Sequence, residues 1–161
     1  MTAAITALVV VLADQVTKLA IVARFQRGEE IDVLGHVLRV GHARNSGAVF
    51  GIMRGAGNYF AVFSFVAAAI VVVIMYLARK ASPPVRIGLG LVLGGAVGNL
   101  IDRLRYGAVV DFIDIGATDA IRWPSFNVAD LAITIGVVML ILASLRPAKQ
   151  GCSGDVQGRV F

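Results

Sequence analysis

The stretch GGAVGNLIDRLRYGAVVDFIDI, residues 94–115, leads from an apolar, glycine-rich segment into a β-prone one and carries several polar groups. Asp102 and Arg103 follow Asn99 at i+3 and i+4, so the three side chains share one face of a helix. Asp111 comes eight residues after Arg103, among valines and other apolar residues. Ionisable groups are costly in apolar surroundings and need partners there. The stretch therefore predicts a helix that ends at a polar site and is followed by a strand.

The composition is that of a membrane protein. Of 161 residues, 58% are hydrophobic, against about 45–50% in a soluble domain, and the mean hydropathy is +0.83. Lys and Arg outnumber Asp and Glu by 15 to 10 but form no run, which argues against a nucleic-acid binder and fits basic residues flanking membrane spans. The single cysteine, Cys152, excludes a disulfide framework and a cysteine metal cluster.

Four apolar segments approach the roughly 20 residues that a spanning helix needs. We expect a four-transmembrane-helix bundle with spans at about 2–23, 59–78, 86–104 and 128–145. Asp14 interrupts the first span, and no basic segment precedes it, so we expect a permanent span and not a cleaved signal peptide. Residues 1–148 are predicted to form one domain, and residues 149–161 a disordered tail.

The two long connections, residues 24–58 and 105–127, are predicted to form strands and turns. They contain IDVLGHVLRVGHA and AVVDFIDI, which alternate in part or are rich in β-formers. Because consecutive spans alternate in direction, both connections lie at one end of the bundle, with the charged ends of the spans. Eight Lys and Arg lie at this end and six at the other, so a count of positive charges would place this end in the cytoplasm, by a margin too small to fix the orientation.

The polar residues within the spans have structural interpretations as well as functional ones. Asp14 and Lys18 are spaced i, i+4 and are predicted to brace the first helix as an ion pair. Gly90, Gly94 and Gly98 predict close helix packing. Neutralisation by Arg103 would explain Asp102, but it leaves Asn99 unexplained.

Two further acids suggest catalysis. Taken singly, Asp111 is an ordinary surface carboxylate and Asp130 a helix-capping one. If the fold brings them together, the two carboxyls share a proton, one activating water and the other polarising a carbonyl, as in aspartic peptide hydrolysis. His36 and His42 have no spacing typical of a metal site, so no metal or other cofactor is expected.

Five blocks of sequence identify a family resemblance. DQVTK (14–18), RNSGAVFG (44–51), GGAVGNLIDR (94–103), VVDFIDI (109–115) and WPSFNVADLAI (123–133) occur in this order. Together they resemble the lipoprotein signal peptidases, or signal peptidase II. The resemblance covers nearly the whole chain and implies a bacterial inner-membrane aspartic endopeptidase. Such an enzyme hydrolyses the bond on the N-terminal side of the diacylglyceryl-modified cysteine of a prolipoprotein.

The resemblance also assigns residues and topology. It implies that Asp111 and Asp130 are the catalytic dyad and that Asp14 and Lys18 form a supporting pair. The residues implied to bind substrate or support the site are Asn45, Gly47, Asn99, Asp102, Arg103 and Asn127. Both termini would be cytoplasmic, and the site, with a small β-rich cradle, would lie near the extracytoplasmic face. Membrane lipid and prolipoproteins are the expected partners of a monomer that binds no nucleic acid.

A function of another class remains open at this point. A small proton-coupled transporter or channel would also place acids within its spans as proton relays. It would distribute them through the depth of the membrane, whereas here they gather towards one end. A purely structural subunit would not need two acids beside an Asn/Arg cluster.

Overall fold

The computed structural model describes residues 1–47 and 57–145, with four helices and one small sheet. The helices are α1 (Thr2–Arg24), α2 (Gly57–Leu77), α3 (Pro83–Tyr106) and α4 (Val128–Ser144), and the strands are β1 (Glu30–Leu34), β2 (Leu38–Asn45) and β3 (Val109–Ile115). Each predicted span thus coincides with a helix. The predicted tail and Cys152 lie outside the described residues.

Three helices, α1, α2 and α3, are long and apolar enough to cross a membrane. At 1.5 Å per residue, the 21 residues of α2 extend about 31 Å, close to the thickness of a hydrocarbon core. α4 is apolar but has 17 residues. Large apolar side chains on α1, α2 and α4 are exposed, as expected for surfaces that face lipid.

The helix α3 lies at the centre of the bundle and packs against each of the other three. Its glycines allow the backbone of α3 to approach α1 on one side and α4 on another. A Cβ on Gly90 or Gly94 would lie within 2.7 Å of atoms of α1, and one on Gly95 would overlap the carbonyl oxygen of Ala129 in α4. The predicted role of glycines in close packing is therefore confirmed.

The start of α3 differs from the predicted span. The helix begins at Pro83, with Pro83 and Pro84 in its first turn, whereas the predicted span begins at about residue 86, after the two prolines. Proline is tolerated there because the first N–H groups of a helix have no intrahelical partner. At the other end, Gly107 adopts φ 68° and closes the helix with a bond from its N–H to the carbonyl of Arg103.

The sheet is antiparallel with the order β1-β2-β3. The strands predicted in both connections are thus present. Between β2 and β3 the register shifts between Val40 and Ala43, so β2 contains an extra residue at the buried pair Gly41–His42. The bulge lies beside Asp111, which is paired with Ala43. Bulges are common next to active sites, where they redirect the chain.

Candidate active site

A buried cluster of charges joins α1 to α3. Lys18 Nζ lies 2.9 Å from Asp14 Oδ2 and 2.8 Å from Asp102 Oδ2, and the three side chains are at most 3% exposed. Gln15 donates to both carboxylates, at 3.2 Å and 3.1 Å. The predicted pair of Asp14 and Lys18 therefore forms, but Lys18 also neutralises Asp102.

Neutralisation of Asp102 by Arg103, the structural interpretation that the sequence left open, is not seen among the described residues. In that part of the chain, Arg103 forms no ion pair within 4 Å, and its guanidinium donates to the carbonyl of Asn99 at 3.4 Å. The carboxylate of Asp102 pairs with Lys18 of α1 and also accepts the backbone N–H of Val110, in β3, at 3.0 Å. Asp102 thus connects the end of α3, the start of β3 and the lysine of α1.

The chain between β3 and α4 connects Asp111 with Asp130 through Asn127. Phe126 returns alongside β3, exchanging backbone hydrogen bonds of 2.9 Å with Ile113. This pairing places Asn127, the next residue, beside Asp111. Asn127 Nδ2 donates to Asp111 Oδ1 at 2.7 Å.

Asn127 also fixes Asp130. Its side chain accepts the N–H of Asp130 at 3.0 Å, and its own N–H donates to Asp130 Oδ2 at 3.3 Å. This reciprocal arrangement is a capping box at the start of α4. A single buried asparagine therefore holds both acids.

Asn99 gives Asp130 a second donor and links the acids to the cluster of charges. Its Nδ2 donates to Asp130 Oδ1 at 2.8 Å, while its Oδ1 accepts from Lys18 at 3.0 Å and from Asn127 at 3.2 Å. Each amide atom thus has a partner that fixes the orientation of the group. Buried polar groups are nearly always hydrogen-bonded in this way.

The pKa of Asp111 is raised to about 6. Burial is the main cause, because it disfavours the charged form, and the negative charge of Asp130 acts in the same direction. Hydrogen bonds from Asn45 and Asn127 lower the pKa by a smaller amount. A carboxyl with such a pKa exchanges its proton near neutral pH.

Asn45 and Gly47 lie at the end of β2. Asn45 pairs with Val109 across the sheet, and its Oδ1 accepts the N–H of Gly47 at 2.9 Å. Gly47 has φ 75°, a conformation that L side chains rarely adopt. Asn45 therefore lies close enough to influence Asp111, whereas Gly47 shapes the chain that follows β2.

An open cavity of about 210 Å³ lies beside Asp111. Its wall includes the bulge at Gly41–His42, together with Asp114 and Ser125. Asp114 is paired with Arg122, whose Nε lies 2.8 Å away. Asp111 contributes to the wall of this cavity although it is only 1% exposed, and Asp130 is not among the lining residues.

Comparisons with known proteins agree with the resemblance in the sequence. The model of the family described as signal peptidase (SPase) II matches residues 6–146. The chain is 37% identical to the lipoprotein signal peptidase of Syntrophus aciditrophicus, over 91% of this chain and 93% of that protein. It is 44% identical to that of Brevibacillus brevis, over 84% and 89%.

Solved structures give the same result. A bacterial membrane enzyme determined by the in meso method at 1.9 Å resolution superposes with a TM-score of 0.77 at 34% identity, covering 91% of this chain and 94% of that one. A second, at 2.3 Å, also has a TM-score of 0.77, at 32% identity and 97% and 94% coverage. The sequence, the polar site and the fold therefore lead to one conclusion: the chain belongs to the signal peptidase II family.

Proposed function

We propose that this chain removes the signal peptide of bacterial prolipoproteins by hydrolysing the bond on the N-terminal side of the diacylglyceryl-modified cysteine. Family membership makes the chain a membrane-embedded protease. Asp111 and Asp130 form its catalytic dyad. The observation that carries this assignment is the bonding of both acids to Asn127.

The two carboxyls have different environments, which suggests different roles. Asp130 lies in the first turn of α4 and accepts hydrogen bonds from Asn99 and Asn127. A helix N-terminus and two donors both favour negative charge, so Asp130 is the base that removes a proton from water. The raised pKa of Asp111 suits the carboxyl that holds a proton and donates it to the scissile carbonyl oxygen.

The reaction then needs no group beyond this chain, the peptide and water. The oxygen of the water molecule adds to the carbonyl carbon, and one of the two water protons passes to Asp130. Asp111 protonates the carbonyl oxygen of the tetrahedral intermediate. As the C–N bond breaks, Asp130 returns its proton to the leaving amine, and Asp111 recovers one from the collapsing hydroxyl.

The remaining polar residues support this chemistry. Asn99 and Asn127 orient the dyad, and Asp14, Lys18 and Asp102 hold α1, α3 and the start of β3 together. We assign Asn45, Gly47 and Arg103 to contacts with the substrate backbone. The sheet forms a cradle beside Asp111.

We infer that all four helices span the inner membrane. α4 has 17 residues and is about 26 Å long. It can be shorter than the other three helices because it begins within the polar site. Both termini are cytoplasmic, and the dyad lies near the extracytoplasmic face, where a diacylglyceryl anchor holds the scissile bond at the membrane surface. Residues 1–148 act as one peptidase domain, monomeric and surrounded by lipid, without nucleic acid or cofactor.

The transporter interpretation receives no support. The nine acids of the described residues lie in the second half of α1, at the end of α3, in the sheet and its connections, and at the start of α4. No chain of acids continues towards the other end of the bundle within residues 1–47 and 57–145. A proton relay across the membrane would need one.

The test is cleavage of a diacylglyceryl-modified prolipoprotein by purified wild type, Asp111→Asn and Asp130→Asn. General acid–base catalysis contributes about 10²–10⁴-fold, so each substitution should reduce kcat by at least about 100-fold. The matched control is Asp119→Asn, an exposed aspartate that should retain full activity. Retained turnover in Asp111→Asn or Asp130→Asn would refute the dyad.

A further inference from the structure

A second cavity lies at the end of the bundle opposite the dyad. It has a volume of about 140 Å³ and lies where the start of α1, the end of α2 and the start of α3 meet. Arg79 and Arg86 line it together with apolar side chains, among them Met75 and Leu89. None of the lining residues is acidic.

Arg86 has no protein acceptor among the described residues. Its Nε is buried and lacks a hydrogen-bond partner, and its guanidinium forms no ion pair with any acid of residues 1–47 and 57–145. Buried donors are rarely left in this state. The guanidinium is therefore available to an anion that enters the cavity.

Arg79 is held at the rim of the cavity. Its guanidinium lies over the ring of Tyr76, 4.9 Å from the centroid, and donates to the Tyr76 carbonyl at 3.2 Å. Tyr76 is itself exposed, and exposed tyrosines at the ends of spans are typical of the headgroup region. Both arginines thus lie at the depth of lipid phosphates.

We propose that this cavity binds the phosphate of an anionic phospholipid, with Arg79 and Arg86 as its ligands. The guanidinium fork suits phosphate oxygens. The apolar lining suits the glycerol and the first carbons of the acyl chains, which distinguishes a lipid from free phosphate. This inference does not depend on the peptidase activity.

Phosphatidylglycerol binding to the full-length protein in neutral detergent, followed by native mass spectrometry, tests the proposal. Arg86→Gln removes one charge-assisted contact and should weaken binding about tenfold. Arg79→Gln should weaken it as well. Lys80→Gln is the matched control, because Lys80 adjoins Arg79 in sequence but does not line the cavity.

Two comparisons separate the lipid from other ligands. Diacylglycerol, which lacks the phosphate, should bind wild type and Arg86→Gln equally, and inorganic phosphate should not displace phosphatidylglycerol at equal concentration. An equal loss in Lys80→Gln would show a general effect of surface charge, and displacement by phosphate would show a free-anion site; either would overturn the proposal. Circular dichroism and the thermal unfolding midpoint in detergent report the fold of each variant, so the control does not depend on the proposed activity. If Arg86→Gln does not fold, the comparison of Arg79→Gln with Lys80→Gln tests the proposal.

Discussion

Asn127 and Asp111 are joined by a buried hydrogen bond of 2.7 Å, although Asn127 also caps the helix that carries Asp130. In the proposed mechanism, one side chain thus has both a structural task, capping α4, and a chemical task, orienting Asp111. The two can be separated by substitution.

Asn127→Ser should keep the cap and lose the bond to Asp111. Serine caps helices about as well as asparagine, while alanine costs about 1 kcal/mol. We therefore expect Asn127→Ala to be less stable than Asn127→Ser, and both to be strongly impaired in kcat. Because the amide lowers the pKa of Asp111, its loss should also move the pH profile of kcat/KM to higher pH. Full activity in Asn127→Ser would show that capping is its only role.

Lys18→Met should destabilise the protein by about 3–5 kcal/mol, because it leaves the carboxylates of Asp14 and Asp102 buried without a cation. Thermal unfolding in detergent measures this effect. Adding Asp102→Asn to Lys18→Met should cost less than the sum of the two single changes. Lys80→Met, at an exposed site, is the control. Strict additivity would contradict the coupling.

Gly98→Ala should disturb the site through Asp14. The new Cβ would lie 2.6 Å from Asp14 Oδ2, and the other oxygen of that carboxylate accepts the N–H of Ala129 in α4. We expect a loss of about 1–3 kcal/mol together with a lower kcat. Gly88→Ala is the matched control on the same helix: its Cβ would meet Gly136 and Leu140 at 3.1 Å, far from the dyad. It should affect stability alone, and an equal fall in kcat would contradict this prediction.

The stability of the protein should depend on pH through Asp111. Its pKa is about 6 in the folded protein and about 3.9 in an unfolded chain, so the folded state binds this proton more tightly. The contribution of Asp111 to stability is full below about pH 4 and decreases as the pH rises to 6. Asp111→Asn should therefore gain stability relative to wild type, by up to about 3 kcal/mol, between pH 4 and 7.

The measurement is the unfolding midpoint of wild type and of Asp111→Asn at several pH values between 4 and 7. Asp130→Asn should give an intermediate slope, because it removes the second cause of the raised pKa and leaves burial, the larger one. A constant difference between wild type and Asp111→Asn would contradict the prediction.

Local patterns in the sequence predicted the helices and strands correctly. The apolar segments, the β-prone AVVDFIDI and the i, i+4 spacing of Asp14 and Lys18 depend on residues close together in the chain. The glycine spacing on α3 also predicted its close packing. These features need no knowledge of which helices are neighbours.

The contacts between side chains of different helices could not be predicted from local patterns. Neutralisation of Asp102 by its neighbour Arg103 was one interpretation that the sequence left open, but Asp102 pairs with Lys18, 84 positions earlier. The rotation of α3 about its axis decides this choice, and the rotation depends on packing against α1. Gln15, which bonds to both Asp14 and Asp102, was missed for the same reason. Its position within DQVTK was the available signal.

The bond from the Ala129 N–H to Asp14 spans 115 positions of the sequence, so the first helix supplies an oxygen that the last helix needs at its start. Asn127 and Asp130 come from the same late segment. During synthesis, the helices α1, α2 and α3 can enter the membrane before this segment leaves the ribosome. The polar cluster is therefore completed only when the final helix is inserted. With Asp130 as the proposed catalytic base, we expect a nascent chain that stops before residue 127 to have no peptidase activity with which to cut neighbouring proteins.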